Sequence, residues 1–269
     1  MEGITVSNLS YTYHGSRTAL RDVSFQVIPG KKIAILGANG SGKSTLIQHF
    51  NGLIPVQKGK VEIQGDRVEK KNLTTLRQKV GIIFDQPDDQ ILASTVWEDV
   101  AFGPRNLRLS EEEVRCRVKE ALGQMEIEDL GEESPYELSL GQKKKVAIAG
   151  VLAMKPDFLV FDEPFSGLDP GSREGLKKAL DDLHRQGHTL IFTTHNVDIA
   201  YQWADRLLIL KEGRVLHSGE VDALENEDLV LKGNLELPTM VKLLKDTGIM
   251  GKDPVIINRT LKEALDIGK

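Results

Sequence analysis

The sequence predicts an α/β fold with a mostly parallel sheet, an antiparallel β region at its N-terminal end, a helical insertion and a small C-terminal extension. Three observations carry this. Short apolar runs of strand length alternate with segments of helical period. One run, Lys32–Leu36, passes straight into a glycine-rich loop and then a helical pattern. From about residue 87 to 145 the strand character gives way to charged, helix-spaced sequence. Strands alternating with helices imply parallel strands covered by helices, with ligands at the strands' carboxyl ends.

In chain order, Ile4–Val6 and Val23–Val27 read as short strands near the N-terminus. Pro29-Gly30 is a turn before the buried-type strand Lys32–Leu36. A second strand pair, Val61–Ile63 and Ile82–Phe84, follows Gly59 and Gly81. In the middle block Val114, Val118, Ala121, Leu122 and Met125 recur at helical spacing, and Ser110 with Glu113 fits a capping box. Apolar strands resume at Phe158–Phe161 and Thr189–Phe192, with a helical pattern from Arg173 to Arg185 between them. Arg206–Leu210 and Arg214–His217 flank Glu212-Gly213 and read as a hairpin. Residues 221–269 are weakly patterned and form the extension to a main domain over 1–220.

Composition narrows the class. The 269 residues are 40% hydrophobic and 28% charged, which excludes collagen, coiled coil and a disordered tail as the main description. A formal net charge of -5 disfavours a general nucleic-acid or anionic-membrane binder, so no nucleic-acid partner is expected. The single cysteine, Cys116, fits a reducing compartment and reads as an inert thiol on a helix. The opening residues lack a secretory apolar core, and the longest apolar stretch, Val146 to Met154, is too short to span a bilayer. Work at a membrane would require another subunit to hold the chain there.

The loop Gly37-Ala38-Asn39-Gly40-Ser41-Gly42-Lys43-Ser44-Thr45 matches the phosphate-binding P-loop, with a strand before it and a helix after. Its glycines let successive N–H groups turn inward, and the helix start adds the positive end of its dipole. Lys43 can reach the β- and γ-phosphates of a nucleotide, and the Ser44 hydroxyl can sit on Mg²⁺. No other mobile positive charge is expected beside the loop. The apolar run Phe158–Phe161 ends in Asp162-Glu163, which delivers two carboxylates to a strand tip. Asp162 suits Mg²⁺, and Glu163, pointing elsewhere, suits polarising a water in line with the γ-phosphorus. These features describe a P-loop NTPase core that uses ATP and Mg²⁺.

Leu138-Ser139-Leu140-Gly141-Gln142 resembles the LSGGQ signature of the ATP-binding cassette (ABC) family. In family order, Ser166-Gly167-Leu168-Asp169 resembles the D-loop, His195 the switch histidine and Tyr13 the aromatic that stacks on adenine. The resemblance implies a head-to-tail dimer in which Ser139, Gly141 and Gln142 of one subunit contact ATP held by the other, with His195 on the γ-phosphate. Two positions depart from the family pattern. Leu140 replaces the first signature glycine, which is tolerable if its side chain points away from the nucleotide. Phe84 is followed by Asp85 and then Gln86, so the Mg²⁺-sensing role of the family's glutamine falls to Asp85 or, by a shift of one residue, to Gln86, the preferred reading. Lys143, Lys144 and Lys145 read as a solvated helix face, and Trp97 and Trp203 as packing residues.

Gln86–Leu92, Thr95–Pro104, Ser134–Leu138, Val146–Met154 and Leu237-Pro238 are similar to the ATPases of energy-coupling factor (ECF) importers. That resemblance implies ATP hydrolysis coupled to uptake of cobalt or nickel ions or of a vitamin. The implied partners are a second ABC ATPase subunit, a membrane-spanning coupling subunit and a substrate-binding membrane subunit. The implied location is the cytoplasmic face of a prokaryotic membrane. The coupling subunit would dock between the 86–140 block and the sheet core. An ABC ATPase without a membrane partner and a small-molecule kinase are the rival readings. The kinase would lack the signature and D-loop.

Overall fold

The computed structural model describes residues 2–15 and 17–246. Among these residues ten strands form two sheets. The strands β1 (Ile4–Thr12), β2 (Thr18–Val27), β4 (Lys58–Ile63) and β5 (Asp66–Arg67) make a four-stranded antiparallel sheet in the order β2-β1-β4-β5. The strands β3 (Lys32–Leu36), β6 (Val80–Ile83), β7 (Phe158–Phe161), β8 (Thr189–Thr194), β9 (Arg206–Lys211) and β10 (Arg214–Glu220) make a six-stranded sheet in the order β10-β9-β3-β8-β7-β6. Within it β9, β3, β8, β7 and β6 run parallel, and β10 pairs antiparallel with β9.

The continuous apolar runs of the parallel strands have a direct cause: both faces of this sheet are buried. Ala34, Leu36, Leu159, Phe161, Leu190 and Phe192 point into one core, shared with the helices. Ile33, Ile35, Phe158, Val160 and Ile191 point into the other, shared with the antiparallel sheet and α1 (Lys43–Gln48). The other α-helices among the described residues are α2 (Leu73–Lys79), α3 (Val96–Asn106), α4 (Glu111–Gln124), α5 (Leu140–Leu152), α6 (Pro170–Arg185), α7 (Val197–Trp203), α8 (Glu227–Lys232) and α9 (Thr239–Asp246). Among the described residues no helix is long and apolar enough to cross a membrane.

Several expectations need correction. Val61–Ile63 and Ile82–Phe84 are not a pair: the first lies in β4 of the antiparallel sheet, while Ile82 lies in β6 at the edge of the parallel one. Ser110 accepts from the Glu113 N–H at 3.2 Å, but the Glu113 carboxylate turns to Arg117 at 2.7 Å, so the cap is one-sided. The lysines of α5 are not a solvated face. Lys144 is buried, and Lys143 is largely covered and paired with Asp88 at 2.7 Å. Trp203 does pack, edge-on to Phe165 and tilted against Phe192.

Helix α3 lies within the helical block expected over about 87–145, and Gly103 and Pro104 sit in its last turn. Gly103 packs closely on α5: a Cβ there would sit 2.7 Å from the Met154 side chain just beyond the helix, which would have to shift. In the extension, Leu224 and Val230 are buried in the core that covers the parallel sheet. Thr239 at the start of α9 ties back to Asp198 of α7 through its N–H at 2.6 Å and its hydroxyl at 2.8 Å. Residues 247–269 of the expected extension lie outside the described residues.

Candidate nucleotide site

The P-loop leaves the carboxyl end of β3 and is packed too tightly for side chains at two of its glycines. A Cβ on Gly37 would lie 2.4 Å from the Leu210 carbonyl oxygen. Gly42, at φ +106°, would place one 2.7 Å from the Ala19 carbonyl oxygen. The β9–β10 turn backs the loop: the Gly213 N–H donates to Ser41 O at 2.9 Å, and Gly213 O accepts from the Arg21 N–H at 2.7 Å. Tertiary contacts thus fix the loop's shape.

Lys43 folds back over the loop, donating to Gly37 O at 2.8 Å and Ala38 O at 3.3 Å. Burial pushes its pKa down, while Glu163 and Asp162 oppose the shift. Its ammonium also lies 3.8 Å from Glu163 Oε1. Around it a cleft of about 640 Å³ is lined by Tyr13, Asn39, Gly40, Gly42, Lys43, Ser44, Thr45, Asp85, Asp162 and Glu163. The Tyr13 hydroxyl hydrogen-bonds Thr45 Oγ1 at 3.0 Å, and its ring meets Tyr11 edge-on. Arg17 and His14 line the same cleft, so Lys43 has basic company that the sequence reading did not anticipate.

The acid pair is held by a residue that reading passed over. Thr193, from β8, donates its hydroxyl to Asp162 Oδ1 at 2.5 Å and accepts the Glu163 N–H at 2.9 Å. Glu163 has φ +46°, the left-handed region where a non-glycine residue is strained. That turn separates the two carboxylates: Asp162 stays on Thr193, and Glu163 swings between Lys43 and His195, whose Nδ1 lies 3.1 Å from Oε1. An ionised carboxylate only accepts, so the proton of this contact belongs to Nδ1.

Asp85 lines the cleft, 3.6 Å from the Lys144 ammonium. Gln86 is exposed and directs its amide to Asp85 Oδ2 at 3.3 Å. Ser44, Asp162 and Asp85 all line this cleft and offer oxygen donors, the chemistry a hard cation takes. Among the described residues no group of three or more His, Cys, Asp or Glu side chains is placed to hold a metal ion by itself.

Ser139 caps α5. Its N–H donates to Gln142 Oε1 at 2.9 Å, and its Oγ accepts the Gln142 N–H at 3.4 Å. Gly141 packs closely on Ser172 of α6, and Leu140 turns inward over Gly167, partly buried against the core. Asp169 caps α6 through the Ser172 N–H at 3.0 Å and hydroxyl at 2.5 Å, and these bonds lower its pKa. Ser139, Gly141, Gln142 and Asp169 are absent from the cleft lining, whereas Glu163 and Lys43 belong to it.

Residues 20–166 match the ABC transporter family model. The chain is 44% identical over 265 residues to the energy-coupling factor transporter ATP-binding protein EcfA of Carboxydothermus hydrogenoformans, covering 98% of this chain and 96% of that protein. It is 43% identical over 268 residues to EcfA2 of Methanospirillum hungatei, covering 98% of this chain and 67% of that one. Among solved structures it superposes on cbiO1 of Clostridium perfringens, described as part of the ABC transporter complex cbiONQ, with TM-score 0.77 and 39% identity over 90% of this chain and 98% of that one. A dimeric ATP-binding cassette solved after hydrolysis with ADP and Pi gives TM-score 0.73 at 30% identity, covering 81% of this chain and 98% of its own. The P-loop, the acid pair and these likenesses agree: the chain belongs to the ABC transporter ATPase family, in its energy-coupling factor branch, and is an ATPase whose hydrolysis is coupled to transport.

Proposed function

We propose that the chain works as a head-to-tail ATPase dimer on the cytoplasmic face of a prokaryotic membrane, driving an importer of cobalt or nickel ions or of a vitamin. One observation carries the membrane partner. Between the sheet core and the helical block lies a groove of about 470 Å³ that includes Leu53, Phe84, Leu92, Phe102 and Met154. Leu92 is 71% exposed and Phe102 56% exposed, and both line this one groove, so they make a shared apolar surface of the kind that marks an interaction site. A cytoplasmic helix of a coupling subunit fits this groove. Gln90 joins the groove to the ATP cleft, because it brackets the end of β6, accepting from the Phe84 N–H at 3.1 Å one residue before Asp85.

In the cleft, the P-loop N–H groups and Lys43 bind the β- and γ-phosphates, and Tyr13 offers its ring to adenine. Ser44 and Asp162 would hold Mg²⁺, with Asp85 or Gln86 as its sensor; the ion neutralises phosphate charge. Glu163 orients and polarises the attacking water. His195 uses its Nδ1 proton on Glu163 in this arrangement. To donate to the γ-phosphate a neutral ring must release that contact, whereas an imidazolium can make both. The exposed start of α5, with Ser139, Gly141 and Gln142, together with Asp169, supplies a second anion-binding face for ATP held by the partner subunit. Closure of such a dimer, favoured by ATP, moves the helical block and whatever sits in the groove.

The test is co-expression with the membrane proteins encoded beside this chain. A complex that assembles with the native chain and is lost in Leu92→Asp and Phe102→Asp, with ATP binding kept, supports the proposal. Purification of the native chain with no hydrophobic subunit would leave an ABC ATPase that works without one. The cargo is then read from uptake of labelled cobalt, nickel or vitamin by the assembled complex.

A further inference from the structure

Lys144 lies one turn into α5 and is 3% exposed, although lysine is almost never buried without partners. Its ammonium donates to the carbonyl oxygens of Glu163 at 3.2 Å and Pro164 at 3.1 Å, and lies 3.6 Å from Asp85 Oδ1. Three oxygens thus face a group with three protons. Two carbonyls alone could be satisfied by a neutral amide. The carboxylate of Asp85 makes the positive charge matter.

The peptide that Lys144 grips is the strained one. Glu163 sits at φ +46°, and its N–H is fixed by Thr193 on one side while its carbonyl is fixed by Lys144 on the other. Such a conformation persists only where its surroundings over-determine it. The direction of the Glu163 carboxylate follows from that backbone turn, so the ammonium on α5 helps set where the carboxylate points. The same helix begins with Ser139 and Gln142.

We propose that Lys144 is a positioning residue for hydrolysis: it locks the Glu163 peptide in its left-handed turn and ties both that turn and Asp85 to the helix that begins at Ser139. A change at the start of α5 therefore reaches the Glu163 of the same subunit through one side chain. This rests on the reading that Glu163 polarises the attacking water.

The experiment is a double-mutant cycle on the full-length chain. It uses Lys144→Met, Glu163→Gln and the pair, with steady-state and single-turnover ATP hydrolysis and ATP-induced thermal stabilisation. Lys144→Met should lower kcat by about 10²-fold, the scale of a misplacement of about 1 Å, with KM and the ATP-induced stabilisation unchanged. In the Glu163→Gln background the same substitution should cost less than about threefold, because the group it positions is already disabled. Lys144→Gln, which keeps an N–H donor but no charge, should fall between wild type and Lys144→Met, and it carries the cycle if the methionine variant does not fold. An equal loss in both backgrounds, or a loss in KM rather than kcat, overturns the proposal. Wild-type turnover in Glu163→Gln alone overturns the Glu163 reading first, and is told apart because it arises before Lys144 is touched.

Discussion

Nδ1 of His195 lies 3.1 Å from Oε1 of Glu163, and the ammonium of Lys43 lies 3.8 Å from the same oxygen. One carboxylate therefore answers to the γ-phosphate's two candidate contacts. Glu163→Gln keeps the shape and removes the basicity. Turnover should fall by at least about 10²-fold, the usual worth of a general base, while ATP binding persists. Mass measurement with ATP and Mg²⁺ should then show an accumulated dimer. Single-turnover rates equal to wild type would remove Glu163 from this role.

Thr193 is the hinge pin of the acid pair, and its hydroxyl has a separable effect. Thr193→Val preserves volume but leaves the Glu163 N–H unpaired and frees Asp162 Oδ1. An unsatisfied buried donor costs about 1–3 kcal/mol. The urea midpoint should drop accordingly, and kcat should drop with it, whereas Thr193→Ser should restore both. A valine variant as stable and active as the parent would show that the hydroxyl is dispensable.

Legibility in the sequence followed the locality of the signal. Lys32–Leu36 and Phe158–Phe161 could be marked to the residue because both faces of the strand are buried and each ends at a glycine or an acid. The P-loop and acid pair were readable because their chemistry is written in consecutive residues. Lys144 and Thr193 were not, because what makes them matter is distant in the chain: Lys144 meets Glu163, and Thr193 meets Asp162, only after β7, β8 and α5 have packed. A lysine among lysines carries no mark of burial. Likewise Val61–Ile63 and Ile82–Phe84 have similar apolar content, and only tertiary pairing assigns them to different sheets.

His49 gives the fold an acid-sensitive point. It is fully buried, with Nδ1 2.7 Å from Thr45 O, Nε2 without a partner and Tyr11 edge-on to its ring. Burial pushes its pKa below the usual histidine value, as it does for His188. A depressed folded-state pKa means that the unfolded chain binds protons first as pH falls. Stability is therefore full above the unfolded value near 6.5 and declines below it until the folded pKa is reached, by at most about 1.4 kcal/mol per pH unit per histidine. Between pH 7.5 and 5.5 the urea midpoint of the native chain should fall, and His49→Phe should flatten part of that fall. An identical pH slope in both proteins would show that His49 does not contribute.

Lys43→Ala tests whether the P-loop lysine is replaceable by its neighbours. Arg17 lines the cleft beside Gly40, yet of the two it is Lys43 that folds over the loop carbonyls and meets Glu163. Binding of a labelled ATP analogue should weaken strongly in Lys43→Ala and only moderately in Arg17→Ala. The reverse order would make Arg17 the principal phosphate contact.

Asp85 and Gln86 divide one role by chemistry. Asp85 lines the cleft, presents an anionic oxygen and is held 3.6 Å from Lys144, whereas Gln86 is exposed and bonded to Asp85 through its amide. If the position after Phe84 senses Mg²⁺, Asp85→Asn should raise the Mg²⁺ concentration needed for half-maximal hydrolysis, because it removes the charged oxygen a hard cation prefers. Gln86→Ala should then be mild. If the sensor is Gln86, the order reverses: Gln86→Ala lowers the hydrolysis stimulated by the membrane partner, while Asp85→Ala leaves the Mg²⁺ titration near wild type. Titrating ATPase rate against Mg²⁺ in the three variants, with and without the membrane subunit, separates these outcomes. Wild-type curves in all three would place the link between cleft and groove outside residues 84–90, and would turn attention to the hydrogen bonds that Lys144 of α5 donates to the Glu163 and Pro164 carbonyl oxygens.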